Sequence, residues 1–371
     1  MPARKAETVH IRTSERKNFK RCIQRWWWGS REGLTPKDPS MALWFGTGIH
    51  LALAQYYGRK GTRRNMDYIE VWEQFCDEGD PENLHVLPVA EMGEEWVSAR
   101  ALGIEMLRGY HRLYEGDPQW DFIQPEMTFQ VRIKLDDGTW IEYDGTFDGV
   151  YFDKKDRKFK LLENKTAKSI SFKHLSLDPQ AGSYWAMAAT TLRHQGVLGP
   201  RENIAGIEYN FLRKAPPDPR PANANGMRTN KATKLHYSQS KQLQMVLGKS
   251  EVRLGMMKID ELEQAANDHK IIVLGEVSKS QPPPLFERTF IKRTVGERRT
   301  QIEAIKADAI HMNAVRNGLL PLTKNPTSDC SWDCPFFNMC ELHELGNNAW
   351  IDFRDAVYVV EDPYKDHRKS A

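Results

Sequence analysis

The chain has 371 residues, of which 40% are hydrophobic and 28% charged, and its formal net charge is +3. That composition is ordinary for a globular protein, with enough length for one elaborate domain or two smaller ones. No run of eighteen or more apolar residues occurs, which argues against a membrane-spanning helix. The opening "MPARKAETVHIRTSERKNFKRC" lacks the apolar stretch of a secretory signal, so a cytoplasmic location is expected. The charge is unevenly spread: residues 1 to 31 carry nine Lys or Arg against two acids, and "FERTFIKRTVGERRT" (286–300) forms a second basic patch. Such patches suit a phosphate backbone, although most charge runs are simply solvated faces.

A basic, Trp-rich opening (10–34) leads into a helical stretch, "SMALWFGTGIHLALAQYYG". Residues 65–116 read as helices with a polar break at "EGDPENLHVLP". From 126 the period changes to two: Met127, Phe129, Val131, Ile133 and Leu135 alternate with polar residues, as in a half-buried strand. "DDG" turns the chain into "TWIEYDGTFDGVYF", and "DKKDRK" turns it again into "FKLLENK", an antiparallel meander. A helix follows, with Asp178 as its N-cap, Pro179 in its first turn and Gly196 past its end. "NIAGIEYNFLRK" is a further strand. Residues 215–233 are rich in Pro, Gly and Asn and read as a mobile loop. Long helices are expected over about 238–270 and over "VGERRTQIEAIKADAIHMNAVRNG". The trio of tryptophans at 26–28 and Trp44 could stack on unpaired bases, with packing the favoured use of the run. "LGKS" (247–250) is not a nucleotide-binding loop, because Leu243 stands where the first Gly belongs.

If the "DKKDRK" turn is centred between Lys155 and Asp156, Val150 faces Leu161, Phe152 faces Phe159 and Asp148 faces Glu163. Lys165 follows Glu163 on the same face, since alternate strand residues share a face. Facing like charges destabilise a sheet unless a cation lies between them. Paired carboxylates hold Mg²⁺ or Mn²⁺. A register slipped by one residue would turn the acids apart.

An Asp followed after fifteen residues by "ENK" resembles the PD-(D/E)xK nucleases, with Phe147 in place of the usual Pro before the Asp. His50 in "GTGIH" upstream, and Gln180 and Tyr184 one helical turn apart downstream, resemble the RecB-like branch. The resemblance implies an α/β (α+β) fold with a restriction-endonuclease-like mixed sheet core flanked by helices. It also implies metal ligation by Asp148, Glu163, His50 and the backbone carbonyl of Asn164. Lys165 would act in catalysis, and Gln180 and Tyr184 would position the nucleic acid. Glu126, at the start of the preceding strand, is a further candidate for the metal shell.

Of five cysteines, three form "CSWDCPFFNMC" (Cys330, Cys334, Cys340), a spacing that suggests metal in a cytosolic chain. Cys22 is the candidate fourth ligand, and Cys76 reads as a small buried hydrophobe. One Cys near the start and three near the end resemble the iron–sulfur RecB-like nucleases, among them CRISPR-associated exonucleases and the AddB nuclease domain. The resemblance implies a [4Fe–4S] cluster that staples the chain ends, although Asp333 lengthens the usual C-x₂-C spacing by one residue. Zinc is the rival metal.

The expectation is a single domain over 1–371, with a catalytic core at 120–212 and a cluster region formed by 10–34 and 325–345. Its function would be a metal-dependent deoxyribonuclease, foremost an exonuclease on single-stranded DNA or DNA ends in recombination, repair or end processing. A helicase or recombinase partner fits the lack of a motor. Arg21 and Arg25, beside Cys22, are candidate DNA contacts. The alternatives are a structure-dependent endonuclease or nuclease subunit of a larger assembly, and a non-catalytic iron–sulfur nucleic-acid-binding protein.

Overall fold

A computed structural model describes residues 8–38, 40–58, 67–78 and 88–362. The first seven residues and most of the polar break expected at 78–88 lie outside them. The chain divides into two compact units: residues 1–214 with 286–371, and the insertion 215–285.

The first unit opens with β1 (Thr8–Arg12), α1 (Thr13–Arg21) and α2 (Ile23–Trp26), which runs on into a π-helical turn at Trp27–Arg31. There follow β2 (Leu34–Pro36), α3 (Met41–Tyr57), α4 (Tyr68–Glu78) and α5 (Glu94–Tyr114). The expected meander is β3 (Trp120–Lys134), β4 (Trp140–Asp153) and β5 (Lys158–Ala167), and it leads to α6 (Pro179–His194) and β6 (Ile204–Arg213). The insertion holds α7 (Lys234–Gln239), α8 (Lys241–Leu247), α9 (Glu251–Met256) and α10 (Ile259–Asp268). The chain then returns as β7 (Phe286–Lys292), α11 (Val295–Arg316), α12 (Cys330–Asp333), α13 (Phe337–Glu344), α14 (Ala349–Val357) and β8 (Tyr358–Val360). Among the described residues, no helix is long and apolar enough to cross a membrane.

Strand β4 is central to a mixed sheet: antiparallel β3 covers one edge, and β1 and then β5 cover the other. Beyond β5, the parallel strand β6 and the antiparallel β7 complete the sheet. The helix α6 makes the crossover between the parallel pair, as such a connection requires. Its side chain Asp178 Oδ1 accepts the Gln180 N–H at 2.9 Å, capping the helix as expected. One face of the sheet packs Phe129, Phe147, Val150 and Leu161 against Trp185, Ala188 and Leu192 of α6 and Ile305 and Met312 of α11. The other face packs Tyr151, Leu162 and Leu212 against Ile49 of α3, Trp72 of α4 and Leu107 of α5.

The tryptophans pack. Trp26, Trp28 and Trp44 are all buried, Trp28 against Phe336 and Met339 and Trp44 against Phe75 and Trp96. The stretch expected as one helix over 238–270 is broken by its own polar residues. Ser240 and Ser250 accept the N–H groups of Leu243 and Arg253 and so start new helices, and Gly248 turns left-handed at φ +60° between them. Leu243, Leu254, Leu262 and Ala266 then meet in a small core of the insertion. Residues 215–233 contain no helix or strand, yet Arg220 is held by Asp218, Ser278 and Ser280, and Asn223 closes a turn onto Met227.

Trp72 is fully buried where α4 meets α3, and that approach depends on Gly48. A Cβ there would lie 2.5 Å from the Phe75 ring and 2.6 Å from Trp72. Gly48→Ala should therefore cost about 1–3 kcal/mol through overpacking. Gly255→Ala in α9, where a Cβ meets nothing within 4 Å, should be neutral or stabilising. Chemical denaturation of both variants checks the contrast.

Candidate active site

On one edge, β4 pairs with β1 through residues 140–144 and with β5 only from Gly149 onward. Residues 145–148 thus have no strand neighbour on that side. Past Leu162, β5 continues along β6 alone. Asp148 and Glu163 are the first residues beyond the last pair, Gly149 with Leu162, so they stand where the two strands part. The Val150–Leu161 and Phe152–Phe159 pairs have the expected register. Asp148 Oδ2 accepts the Asn164 backbone N–H at 2.6 Å, so a side chain serves where a strand partner has ended.

The structure brings Glu126, the further candidate for the metal shell, to the centre. On β3, Pro125 pairs with Gly149 and Met127 with Phe147, which sets Glu126 opposite Asp148. Counting facing residues across the "DDG" turn, as across "DKKDRK", would have found it. Three acids from three strands thus form a row: Glu126, Asp148 and Glu163. Glu126 has φ +47°, a left-handed conformation costly for a residue with a Cβ. Its buried Oε1 has no hydrogen-bond partner among the described residues. From α3, His50 Nδ1 reaches to 3.5 Å from Asp148 Oδ1. Ligand atoms of His50, Glu126 and Asp148 all lie within 4.8 Å of one another. Lys165 Nζ donates to Glu163 Oε1 at 2.5 Å, and Gln180 Nε2 donates to the Tyr184 hydroxyl at 3.0 Å.

Crowding these charges moves their proton affinities. Burial and the charge of Asp148 push Glu126 up to about 8. Burial likewise raises Glu163 to about 7, against the pull of Lys165. Burial alone would lower His50, but Asp148, Glu126 and Glu163 outweigh it and raise the imidazole to about 9. Burial opposes ionisation of Asp148 as well, yet His50, Lys165 and the Asn164 N–H hold its carboxyl below the usual range. Lys165 is held above the ordinary lysine range, because Glu163 and Asp148 overcome its burial.

Four of the five cysteines lie where the segment around Cys22 meets residues 324–340. The Asn325 N–H points to Cys22 Sγ at 3.5 Å, and the Thr327 N–H points to Cys330 Sγ at 3.3 Å. Cys334 and Cys340 pack against the Trp28–Phe336–Met339 core, and each lies within electrostatic reach of Cys22. The Thr327 N–H, helped by Arg21, favours the Cys330 thiolate and lowers its pKa against the effect of burial. Arg21 and Arg25, the candidate DNA contacts, are turned to the cysteine-bearing segment. Arg21 Nη2 donates to Thr327 Oγ1 at 2.7 Å, and Arg25 Nη1 to Asp333 Oδ2 at 2.8 Å. Cys76 is fully buried in the helical layer, away from this group.

The family model of the PD-(D/E)XK nuclease superfamily matches residues 13–341. The chain belongs to this superfamily. Among curated proteins, none matches it. Membership makes the mixed sheet with its flanking helices a restriction-endonuclease-like core and implies a metal-dependent nuclease that hydrolyses phosphodiesters using Mg²⁺ or Mn²⁺. The donor set fits such an ion: carboxylate oxygens suit Mg²⁺ and Mn²⁺, and Glu126, which keeps a buried oxygen without a hydrogen-bond partner among the described residues, offers a ligand atom within 4.8 Å of those of Asp148 and His50.

Without metal, this nuclease site should be most stable when protonated. Raised folded-state pKa values mean that the folded state holds more protons than the unfolded one over 4.5–7 for Glu163, 4.5–8 for Glu126 and 6.5–9 for His50. Stability should therefore fall as pH rises through these windows. Thermal melts in EDTA from pH 5 to 9 should show this decline, and Glu126→Gln should flatten it.

Proposed function

We propose that this nuclease is an exonuclease of the RecB-like branch that acts on DNA ends, prefers single strands and serves recombination, repair or end processing. The row of Glu126, Asp148 and Glu163 beside His50 carries the nuclease reading. His50 on a helix before the acids, and the hydrogen-bonded Gln180–Tyr184 pair after them, support the RecB-like assignment.

Asp148, Glu163, His50 and Glu126 would hold Mg²⁺ or Mn²⁺, with the Asn164 carbonyl completing the set. When bound, the ion supplies Lewis-acid polarisation of the phosphodiester and acidifies nearby water. Lys165, kept charged by Glu163 and Asp148, cannot take up a proton at neutral pH; its ammonium balances the charge growing on the phosphate in the transition state. Gln180 and Tyr184, fixed to each other at one end of α6, hold the substrate strand beside the acids.

Anaerobically purified protein, given end-labelled linear and circular single-stranded DNA, separates the readings. The linear strand should shorten from an end with Mn²⁺ or Mg²⁺, the circle should survive, and EDTA should stop the reaction. Cleavage of the circle would instead point to an endonuclease. Asp148→Ala and Glu163→Ala should abolish cleavage in folded protein. Lys165→Ala should lower kcat strongly and DNA affinity little, since one phosphate contact carries a small share of binding.

Cys22 and Cys330, which accept from Arg21 and two backbone N–H groups, and Cys334 and Cys340 nearby in the same segment, support a [4Fe–4S] cluster held by the four. Such a cluster closes about three hundred residues into a loop, and a covalent cross-link of that length contributes roughly 5 to 6 kcal/mol by the chain-entropy account. Serine at any of the four should give colourless, poorly soluble protein, while Cys76→Ser stays coloured and active. Stoichiometric zinc in a colourless parent would replace the cofactor, and a stable, brown Cys22→Ser protein would remove the staple.

A further inference from the structure

Behind the acidic row lies a second polar assembly that none of the chemistry above uses. Asn164, Asn210 and Arg288 are direct register partners on β5, β6 and β7, so their side chains line up across three strands on one face. That face is the one opposite Glu163 and Lys165, because neighbours along a strand point to opposite sides. Asn210 is fully buried; its Nδ2 donates to Asn164 Oδ1 at 2.7 Å and to the Tyr110 hydroxyl at 2.8 Å. Arg288 Nε donates to Asn210 Oδ1 at 3.1 Å. Its two terminal nitrogens grip both oxygens of buried Asp117, at 2.6 and 2.8 Å. Nη2 also reaches the hydroxyls of Tyr57 at 3.0 Å and Tyr110 at 2.7 Å. The guanidinium lies 3.4 Å from the Tyr114 ring centroid. Asp117 is ion-paired with this arginine and accepts the Tyr57 hydroxyl, so the buried charges are compensated.

The chain of contacts ends at the active site. Asn164 is the residue between Glu163 and Lys165, and its backbone N–H is the group that holds Asp148. Fixing its side chain from behind fixes the peptide planes on either side of it. Tyr57 extends the same support to α3, two turns beyond His50 on that helix.

The geometry points to Asn210 and Arg288 as positioning residues for the metal site: the Asp117–Arg288–Asn210–Asn164 chain sets the strand backbone that aims Asp148. This rests on the metal-dependent nuclease reading. Groups that orient metal ligands from outside the ligand set typically govern affinity by about 10–100-fold. Removing the asparagine should therefore weaken divalent-ion binding as well as the fold.

The test measures Mn²⁺ binding to the full chain without DNA, by the loss of the free-ion electron paramagnetic resonance signal. Asn210→Ala leaves room for water and should raise the Mn²⁺ Kd by about tenfold or more. Arg288→Lys, which keeps the charge beside Asp117 but cannot also serve Asn210 through a planar fork, should raise it as well. Met312→Ala, on the core-facing side of α11, is the control: it should lower the melting temperature and leave the Kd within about twofold. The Mn²⁺ needed for half-maximal cleavage should rise in step with the Kd, while KM for DNA stays put. Folded Asn210→Ala or Arg288→Lys protein binding Mn²⁺ as tightly as the parent would overturn the positioning role alone. A parent that binds no Mn²⁺ would overturn the metal-site reading together with it.

Discussion

Everything at the active site follows from the point where β4 gives up one neighbour and takes another. A central strand normally has its backbone satisfied on both edges, which leaves no room for a ligand. Here β1 stops at Arg12, opposite Asp144, and β5 begins to pair only at Gly149. The four residues between them open the sheet from within. Asp148 stands at that opening with Glu126 on one side and Glu163 on the other, and half-buried His50 and Lys165 supply the nearest positive charge.

A row of three acids in a low-dielectric setting is unfavourable in the folded apo-protein, and the proton affinities record it: Glu126 and Glu163 resist ionisation, while His50 and Lys165 hold their protons. The left-handed backbone at Glu126 adds strain at the same place. Rigid surroundings on both faces keep the groups from relaxing apart. On one side are the small residues of α6 packed close to the sheet, and on the other the Asp117–Arg288–Asn210 assembly and the aromatic layer of α3, α4 and α5.

The same first unit is tied at its ends. The Glu15 carboxylate, fully buried, accepts from Trp26 Nε1 at 2.9 Å and Arg316 Nη2 at 3.0 Å, and Arg16 Nη1 donates to Ser183 Oγ at 2.6 Å. Ser183 lies between Gln180 and Tyr184 on α6. The helix leading to Cys22 is therefore bonded directly to the helix that carries the hydrogen-bonded Gln180–Tyr184 pair.

Local rules determined much of this in the sequence itself. The period of two from Met127 to Leu135, the "DDG" and "DKKDRK" turns and the Asp178–Pro179 helix start all act within a few residues, so the meander, its register and the placing of Asp148, Glu163 and Lys165 were legible. What the tertiary structure alone decided depends on segments far apart in the chain. The strand Thr8–Arg12 is too short to announce itself and is defined by its partner at 140–144. Arg288 reads as one charge in a basic patch until β7 brings it beside Asn210. Nothing near Arg21 and Arg25 in the sequence announces Thr327 and Asp333, which the distant segment 325–333 brings to them. The insertion 215–285 spaces its few buried leucines too irregularly for any one period, so its core exists only once its short helices meet. Sequence fixes pairings wherever a turn sets the count; elsewhere the sheet and its buried charges choose the partners, because only closure of long loops brings those groups within reach.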